Sequence, residues 1–337
     1  MTLEPFNADP LNVEASSAST AALWLGAGLI TAGFLANTLQ GALGKIALEV
    51  IAPGQFLWLL LLIALAVVIP VAWWQRRREI SGQEISGQEI SEPEISGETK
   101  LAGWNKQVLP FYFLRAVFGL CGFYLFVWAA GLGSLVDATV LLNTTPVFIP
   151  VIGVVALNKE ISLKLWGAIS LGFLGLLLVV QPNAGLLRNP ANLLGLGAGL
   201  SAAIEFLTVR SLSKTQTPLA QTFYYLLIGT LLMSPIALWQ WQSLTLDTLE
   251  IAAAAAGLFL TFQLLLVKAY SLAEPHQIGI FQYSSVIFAA IIGWLFFDEI
   301  PNAIALTGMV LSVVGGALSI YWEQALDPSS ANSGSVT

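Results

Sequence analysis

Charge is scarce in this chain: 13 lysines and arginines and 20 aspartates and glutamates stand among 337 residues. A soluble domain carries roughly a quarter of its residues as charges. An ordinary water-facing surface cannot be assembled from so few. Cysteine is nearly missing as well, since Cys121 stands alone, which excludes an intrachain disulfide and a cysteine cluster for a metal. A single histidine, His276, excludes a histidine-rich metal site. The formal net charge is -7 and no basic stretch is large enough for a nucleic-acid surface. Paired carboxylates in a supporting context, a GxSxG elbow and a Walker A loop are all lacking. No cofactor is therefore expected, no metal, and no enzyme. The glycines at 195, 197 and 199 follow no strand and precede no phosphate-loop lysine, so they read as close helix packing, not nucleotide binding.

What the chain has in abundance is apolar length. Hydrophobic residues make up 56% of it, gathered into blocks that polar interruptions separate. Ten blocks are marked at 21–39, 53–74, 108–130, 134–156, 163–181, 191–209, 218–239, 250–270, 276–297 and 302–322. About 20 residues at 1.5 Å rise cross a hydrocarbon core of about 30 Å, and a helix satisfies its own backbone without water. The fold class expected is all-α, a polytopic membrane protein of ten transmembrane helices with lipid as solvent. Gly131, Leu132 and Gly133 form the turn that divides the third block from the fourth. Residues 1–20, with Glu4, Asp9, Glu14 and several serines, read as a disordered leader without a cleaved signal. Between the second and third blocks, residues 79–98 hold four imperfect five-residue units, from Glu79-Ile80-Ser81-Gly82-Gln83 to Glu94-Ile95-Ser96-Gly97-Glu98. Their acidity and their Ser/Gly content favour a solvated tether.

Basic residues orient the helices. With the N terminus inside, Arg76, Arg77, Arg78, Lys100, Lys106, Lys159, Lys164, Arg210, Lys214 and Lys268 fall on the cytoplasmic side. Lys45 and Arg188 fall outside, and Arg115 lies within the third span. Both termini are thus expected in the cytoplasm of a cell membrane, including the tail 323–337.

An internal correspondence divides the chain further. Pairing Glu160 with Glu299 also pairs Ile161 with Ile300, and the stretch from Ala130 then aligns without a gap to that from Ala269. Two five-span halves follow, 21–181 and 191–322. Five spans reverse direction, so the halves are oppositely oriented, as in inverted transporter repeats.

Two regions carry a resemblance. One is Asn143-Thr144-Thr145-Pro146-Val147-Phe148 followed by Asn158-Lys159-Glu160-Ile161; the other runs from Tyr283 to Asp298-Glu299-Ile300-Pro301, followed by Gly308. On these the chain resembles EamA-type members of the drug/metabolite transporter superfamily over nearly all ten spans. The resemblance implies ten helices, cytoplasmic termini, a substrate cavity between two repeats, and alternating access for a small organic metabolite, with export as the direction. Phe56-Leu57-Trp58 departs from it, since relatives often carry an arginine there. Arg115 matches a position where an arginine is common.

Polar groups inside apolar spans are the candidate site. Arg115 and Glu205 are costly in hydrocarbon, by a few kcal/mol at mid-span, and must face protein or water. One reading sets Arg115 against an anionic substrate group and gives Glu205 a cationic group or a proton. Another pairs the two with each other, or Glu205 with Arg210, to organise the bundle. Asn143, Thr144, Gln263, Gln282 and Tyr283 supply neutral hydrogen bonds suited to transient binding, and Asn37 and Gln40 offer the same in the first span. Lys268, Glu274 and His276 group near one turn, as loop organisers or a gate. Most tryptophans sit near span ends and read as interface anchors, with Trp58, Trp128 and Trp294 open to a pathway role. The expectation is a secondary carrier of a small organic metabolite, with coupling to a proton or ion gradient left open. A membrane scaffold or partner-binding protein without transport is the alternative, and a membrane enzyme a third reading.

Overall fold

The computed structural model describes residues 10–86, 108–132, 141–157, 161–180, 190–297 and 302–326. Among these residues there is no strand, and ten helices of 13 or more residues succeed one another. They are α1 (Pro10–Ala47), α2 (Pro53–Ser86), α3 (Leu109–Leu132), α4 (Thr145–Leu157), α5 (Leu163–Val180), α6 (Pro190–Ser213), α7 (Pro218–Trp239), α8 (Leu246–Leu272), α9 (Ser284–Phe297) and α10 (Ala303–Leu326). Six of them, α1, α2, α3, α6, α7 and α8, are long and apolar enough to cross a membrane; α4, α5 and α10 hold shorter apolar segments.

Proline and threonine set the local boundaries. α7 opens on Pro218, whose missing N–H is no loss in a first turn, and the Thr217 hydroxyl accepts from Ala220 N–H at 3.2 Å. Thr245 caps α8 in the same way, accepting from Thr248 N–H at 3.2 Å.

Every apolar block of the sequence meets one of these helices, with differences that have physical causes. α1 begins at Pro10, so residues 10–20 of the expected leader are helical, and α2 continues to Ser86, through the first unit and a half of the acidic repeat. The fourth block is not one continuous helix. Residues 141–142 are helical, Asn143 and Thr144 form a turn, and α4 restarts at Thr145 with only 13 residues. Pro146 has no N–H for the carbonyl of Leu142, and the Thr145 hydroxyl donates to that carbonyl instead, at 2.6 Å. The ninth block is likewise interrupted, by a helical turn Pro275–Ile278 and a 3₁₀ segment Gly279–Tyr283 ahead of α9. Residues 1–9, the repeat beyond 86, Lys159-Glu160, residues 298–301, Arg188 and the tail from 327 lie outside the described residues.

The packing pairs mirror one another. α1 lies along α8 as α3 lies along α6; α2 faces α7 and α5 faces α10; α4 touches α6 as α9 touches α1. Exchanging α1–α5 with α6–α10 in order maps each of these pairs onto another or onto itself. A main apolar core joins α1, α2, α3, α6, α7 and α8, and a smaller one of Leu165, Ile169, Leu176, Ile280, Tyr283 and Val286 lies under α5, the 3₁₀ segment and α9. At the α5–α10 contact the backbones nearly touch: a Cβ on Gly175 would stand 2.5 Å from the Gly308 carbonyl oxygen, and Ser312 Oγ donates to the Gly172 carbonyl at 3.2 Å. Trp24, Trp73, Trp74, Trp128, Trp239 and Trp241 are all exposed, the first three near the ends of the apolar segments Ala21–Gly44 and Pro53–Trp74 and the others at or near helix ends.

Candidate functional site

Arg115 is the largest fully buried side chain in the molecule's described part. From α3 its Nη2 donates to Gln263 Oε1 of α8 at 2.8 Å, and its Nη1 to Gln221 Oε1 of α7 at 3.4 Å. Its guanidinium carbon lies 5.0 Å from the centroid of the Tyr225 ring, a cation–π arrangement. Nε has no acceptor. Gln221 is fixed in turn by donating to Ser213 Oγ at 3.0 Å and to the Gln216 carbonyl at 3.3 Å. The Tyr112 hydroxyl donates to Gln216 Oε1 at 2.9 Å, so the network reaches the link between α6 and α7.

Glu205 enters from α6. One helical turn beyond Arg115, Gly119 leaves room for it: a Cβ there would come within 2.9 Å of both Glu205 Cδ and Tyr225 Cε2. Glu205 is buried and makes no hydrogen bond or ion pair with any described residue. Its expected alternative partner, Arg210, is engaged elsewhere. Arg210 Nε donates to Glu274 Oε1 at 3.0 Å, and Nη1 donates to the carbonyls of Tyr270 at 2.8 Å and Ser271 at 3.0 Å. This latch holds the end of α8, where the Glu274 N–H is itself capped by Gln277 Oε1 at 2.9 Å. Three charge-assisted bonds of which two stop helix-end carbonyls are worth about 2 kcal/mol together. Arg210→Ala is expected to lower unfolding stability by about that amount, with most of the loss restored in Arg210→Lys only if one carbonyl contact suffices; detergent-solubilised thermal unfolding measures it.

The helix breaks form the second polar group. The Ser285 hydroxyl donates to Asn143 Oδ1 at 3.3 Å, which brings the turn before α4 directly against the start of α9. Thr144 Oγ donates to the Leu141 carbonyl, and Thr145 Oγ also reaches the Gly199 carbonyl of α6 at 3.1 Å. Gly199 permits this closeness, because a Cβ there would meet Thr144 Oγ at 2.5 Å and the Leu141 carbonyl oxygen at 2.7 Å. The Gly195–Gly199 run thus serves helix packing. Gln282 Oε1, the Tyr283 hydroxyl and Ser284 Oγ are buried without a hydrogen-bond partner among the described residues. Tyr270 stands between the two groups: its ring is 5.5 Å from that of Phe206, next to Glu205, and its unpartnered hydroxyl is 3.9 Å from where a Cβ of Gly279 would be.

All seven residues expected at the site, Arg115, Asn143, Thr144, Glu205, Gln263, Gln282 and Tyr283, are buried. Arg115 and Gln263 touch, with Glu205 one turn further along α3; Asn143, Thr144, Gln282 and Tyr283 gather at the two breaks. Gln221, Thr222, Tyr225, Tyr270 and Ser284 belong to the same interior and were not singled out in the sequence. A signal existed, since Tyr225 follows Gln221 by four residues and Tyr270 follows Gln263 by seven, each pair on one helix face. Trp58 lies apart, donating to Ser234 Oγ at 2.9 Å and meeting Trp241 edge to face. It belongs to a clasp at the opposite end of α8 from Arg210. There Gln55 Nε2 donates to the Gln242 carbonyl and Gln242 N–H to Gln55 Oε1, both at 2.8 Å, and Gly54 N–H donates to Gln240 Oε1 at 3.2 Å.

Chemically, the described interior offers one cation held in a fixed frame, one carboxylate near it that makes no hydrogen bond, and several hydroxyl and amide groups left unsatisfied. Each such group costs about 1–3 kcal/mol when buried unpaired, so a set this dense calls for polar partners that no described residue supplies. Among the described residues no three His, Cys, Asp or Glu side chains gather to hold a metal.

The EamA-like transporter family model matches residues 24–181 and again 189–321. The chain is 26% identical over 214 residues to the pseudopaline exporter CntI of Pseudomonas aeruginosa, covering 62% of this chain and 74% of that protein. It is 27% identical over 219 residues to a riboflavin transporter of Vibrio cholerae, covering 64% and 73%. With an S-adenosylmethionine uptake transporter of Rickettsia prowazekii it shares 26% over 219 residues, covering 63% and 73%. A solved crystal structure superposes with a TM-score of 0.64 at 14% identity, over 92% of this chain and 99% of that one.

Proposed function

Because the chain belongs to the EamA-like transporter family, as a multi-pass membrane protein, we propose that it carries a small organic metabolite across a cell membrane by exposing the Arg115–Glu205 interior to each side in turn. The observation that carries this reading is a buried carboxylate with no hydrogen bond among the described residues, in the field of a fully buried guanidinium, inside an apolar bundle. A scaffold has no use for either; replacing such groups with packed apolar side chains is often neutral or stabilising.

The ten helices are read as two inverted repeats, α1–α5 and α6–α10. Support comes from the mirrored packing pairs, from the two separate family-model matches, and from the interruption of α4 and α9, which occupy the same place in each half. Interrupted helices with freed backbone groups are tolerated in a membrane where they line a polar interior. Both termini are read as cytoplasmic, because ten of the 13 basic residues then lie inside. Relatives that export and relatives that take up their substrates are both similar to this chain; export is our reading of direction.

Purified protein in liposomes, challenged with a metabolite panel that includes riboflavin and S-adenosylmethionine under proton or sodium gradients, tests the proposal. The expected result is protein-dependent flux of an unmodified compound. Absence of flux across the panel, together with no ligand-dependent stabilisation, favours a scaffold, and a chemically altered compound favours an enzyme. Reporter fusions at residues near 80 and near 185 are expected on opposite sides of the membrane; a common side rejects the orientation.

A further inference from the structure

The two family-model matches open at residues 24 and 189 and close at 181 and 321, so equivalent positions are about 165 residues apart early in each half and about 140 apart late in it. At the early spacing Pro53, which opens α2, meets Pro218, which opens α7. The same spacing sets Gln40 of α1 opposite Glu205 of α6. Gln40 is 5% exposed and Glu205 7%, and neither has a hydrogen-bond partner among the described residues. A buried amide that makes no hydrogen bond to protein gives nothing to packing that a leucine would not give, and keeps its preference for a polar partner. Two such groups at matched positions of matched helices are not explained by chance polarity of one helix.

Their surroundings are unequal. Glu205 shares its place with Arg115, Gln221 and Tyr225. At the early spacing Gln221 corresponds to Phe56, which is fully buried and whose ring would meet a Cβ of Gly44, one turn from Gln40, at 3.1 Å. At the late spacing Arg115 falls within the alanine run 252–256 of α8. One half therefore has a charged polar station and the other a neutral amide in an apolar setting. The stations also lie toward opposite ends. Glu205 is eight residues from the end of α6 that carries the Arg210 latch, and Gln40 is seven residues from the end of α1 that leads to the Gln55 clasp.

We propose that Gln40 is a second substrate-contacting station, reached from the membrane side opposite to that which reaches Glu205, and that it hydrogen-bonds the cargo without reading its charge while Glu205 reads it. This rests on the carrier reading above. A neutral amide binds weakly and releases readily, whereas a desolvated carboxylate holds a cationic group or proton firmly, so the two stations give the carrier a tight side and a loose side.

The test uses single cysteines, Gln40→Cys and Glu205→Cys, each in a Cys121→Ser background, in the full chain in oriented vesicles, with a membrane-impermeant methanethiosulfonate as probe. Lys214→Cys, in the link between α6 and α7, reports which side is which. The expected result is that Glu205→Cys reacts from the Lys214 side, that Gln40→Cys reacts from the other side at least several-fold faster than from the Lys214 side, and that a condition raising one rate lowers the other. A Gln40→Cys protein that reacts from neither side, or from the Lys214 side alone, overturns the proposal. If Gln40→Cys does not fold, Gln40→Glu probed with a water-soluble carbodiimide, located by peptide mass spectrometry, is read by the same two criteria. Reaction from opposite sides without reciprocity leaves the two stations standing and defeats the carrier reading, since it describes a fixed aqueous path.

Discussion

Replacing Gly175 with valine is expected to prevent recovery of folded protein, or to cost about 3 kcal/mol or more in unfolding stability. The added Cβ would lie 2.5 Å from the Gly308 carbonyl oxygen, 2.6 Å from Ser312 N and 2.6 Å from Ser312 Oγ. Two of these are backbone atoms, so no rotamer change relieves the clash. α5 and α10 must move apart by roughly 1 Å along their contact, which forfeits dispersion over the whole seam and lengthens the Ser312–Gly172 hydrogen bond. Gly315→Val meets the same obstacle at Gly172 N, 2.7 Å away. Gly28 and Gly257 have open space where a Cβ would go, and alanine at either is expected to leave stability unchanged or raise it by up to about 1 kcal/mol through helix propensity. Thermal unfolding of the four variants in one detergent separates a steric cause from a general intolerance. A Gly175→Val protein that melts with the wild type contradicts the close seam.

Arg115→Ala is the second large effect. It strips the donors from Gln221 Oε1 and Gln263 Oε1, removes the cation from the Tyr225 face, and leaves Glu205 as an isolated charge in the interior. Removing one member of a buried charged set costs about 3–5 kcal/mol, and substrate flux is expected to vanish with it. Arg115→Lys does not restore it, because one ammonium cannot reach two amide oxygens on different helices in a planar fork. Glu205→Gln keeps volume and the Gly119 contact, so it is expected to fold while flux falls at least about tenfold. A double variant, Arg115→Met with Glu205→Gln, tests whether the charges support each other. Its destabilisation is expected to fall short of the sum of the single changes by about 1 kcal/mol or more, and additivity within about 0.5 kcal/mol would show them to be independent.

Much of the fold was legible because hydrocarbon imposes one rule, that a crossing segment be apolar and helical, and α6, α7 and α8 follow it without exception. The first break was legible in part, since Pro146 and its threonine neighbours can interrupt helix hydrogen bonding, and Thr144 and Thr145 satisfy the carbonyls there while Gly199 approaches closely. The second, Gly279–Tyr283, sits inside a run whose composition suits an unbroken helix. The site shows the same division. Arg115 and Glu205 announce themselves by the cost of charge in an apolar span. Tyr225 and Tyr270 do not, since an aromatic ring in such a span is ordinary until its neighbours are known. The proximity of Arg210 to Glu274 rather than to Glu205 depends on where the end of α8 lies, which no spacing along α6 contains.

The two fastenings of α8 differ in kind. At one end Gln55, Gln240 and Gln242 join through neutral amides; at the other a mostly buried guanidinium grips a carboxylate and two carbonyls. Dissolved electrolyte, with a screening distance of about 8 Å at physiological strength, acts on the second kind alone, and modestly because the pair is partly buried. Ionic strength at the Arg210 end would then bear on that fastening of α8 and leave the other indifferent.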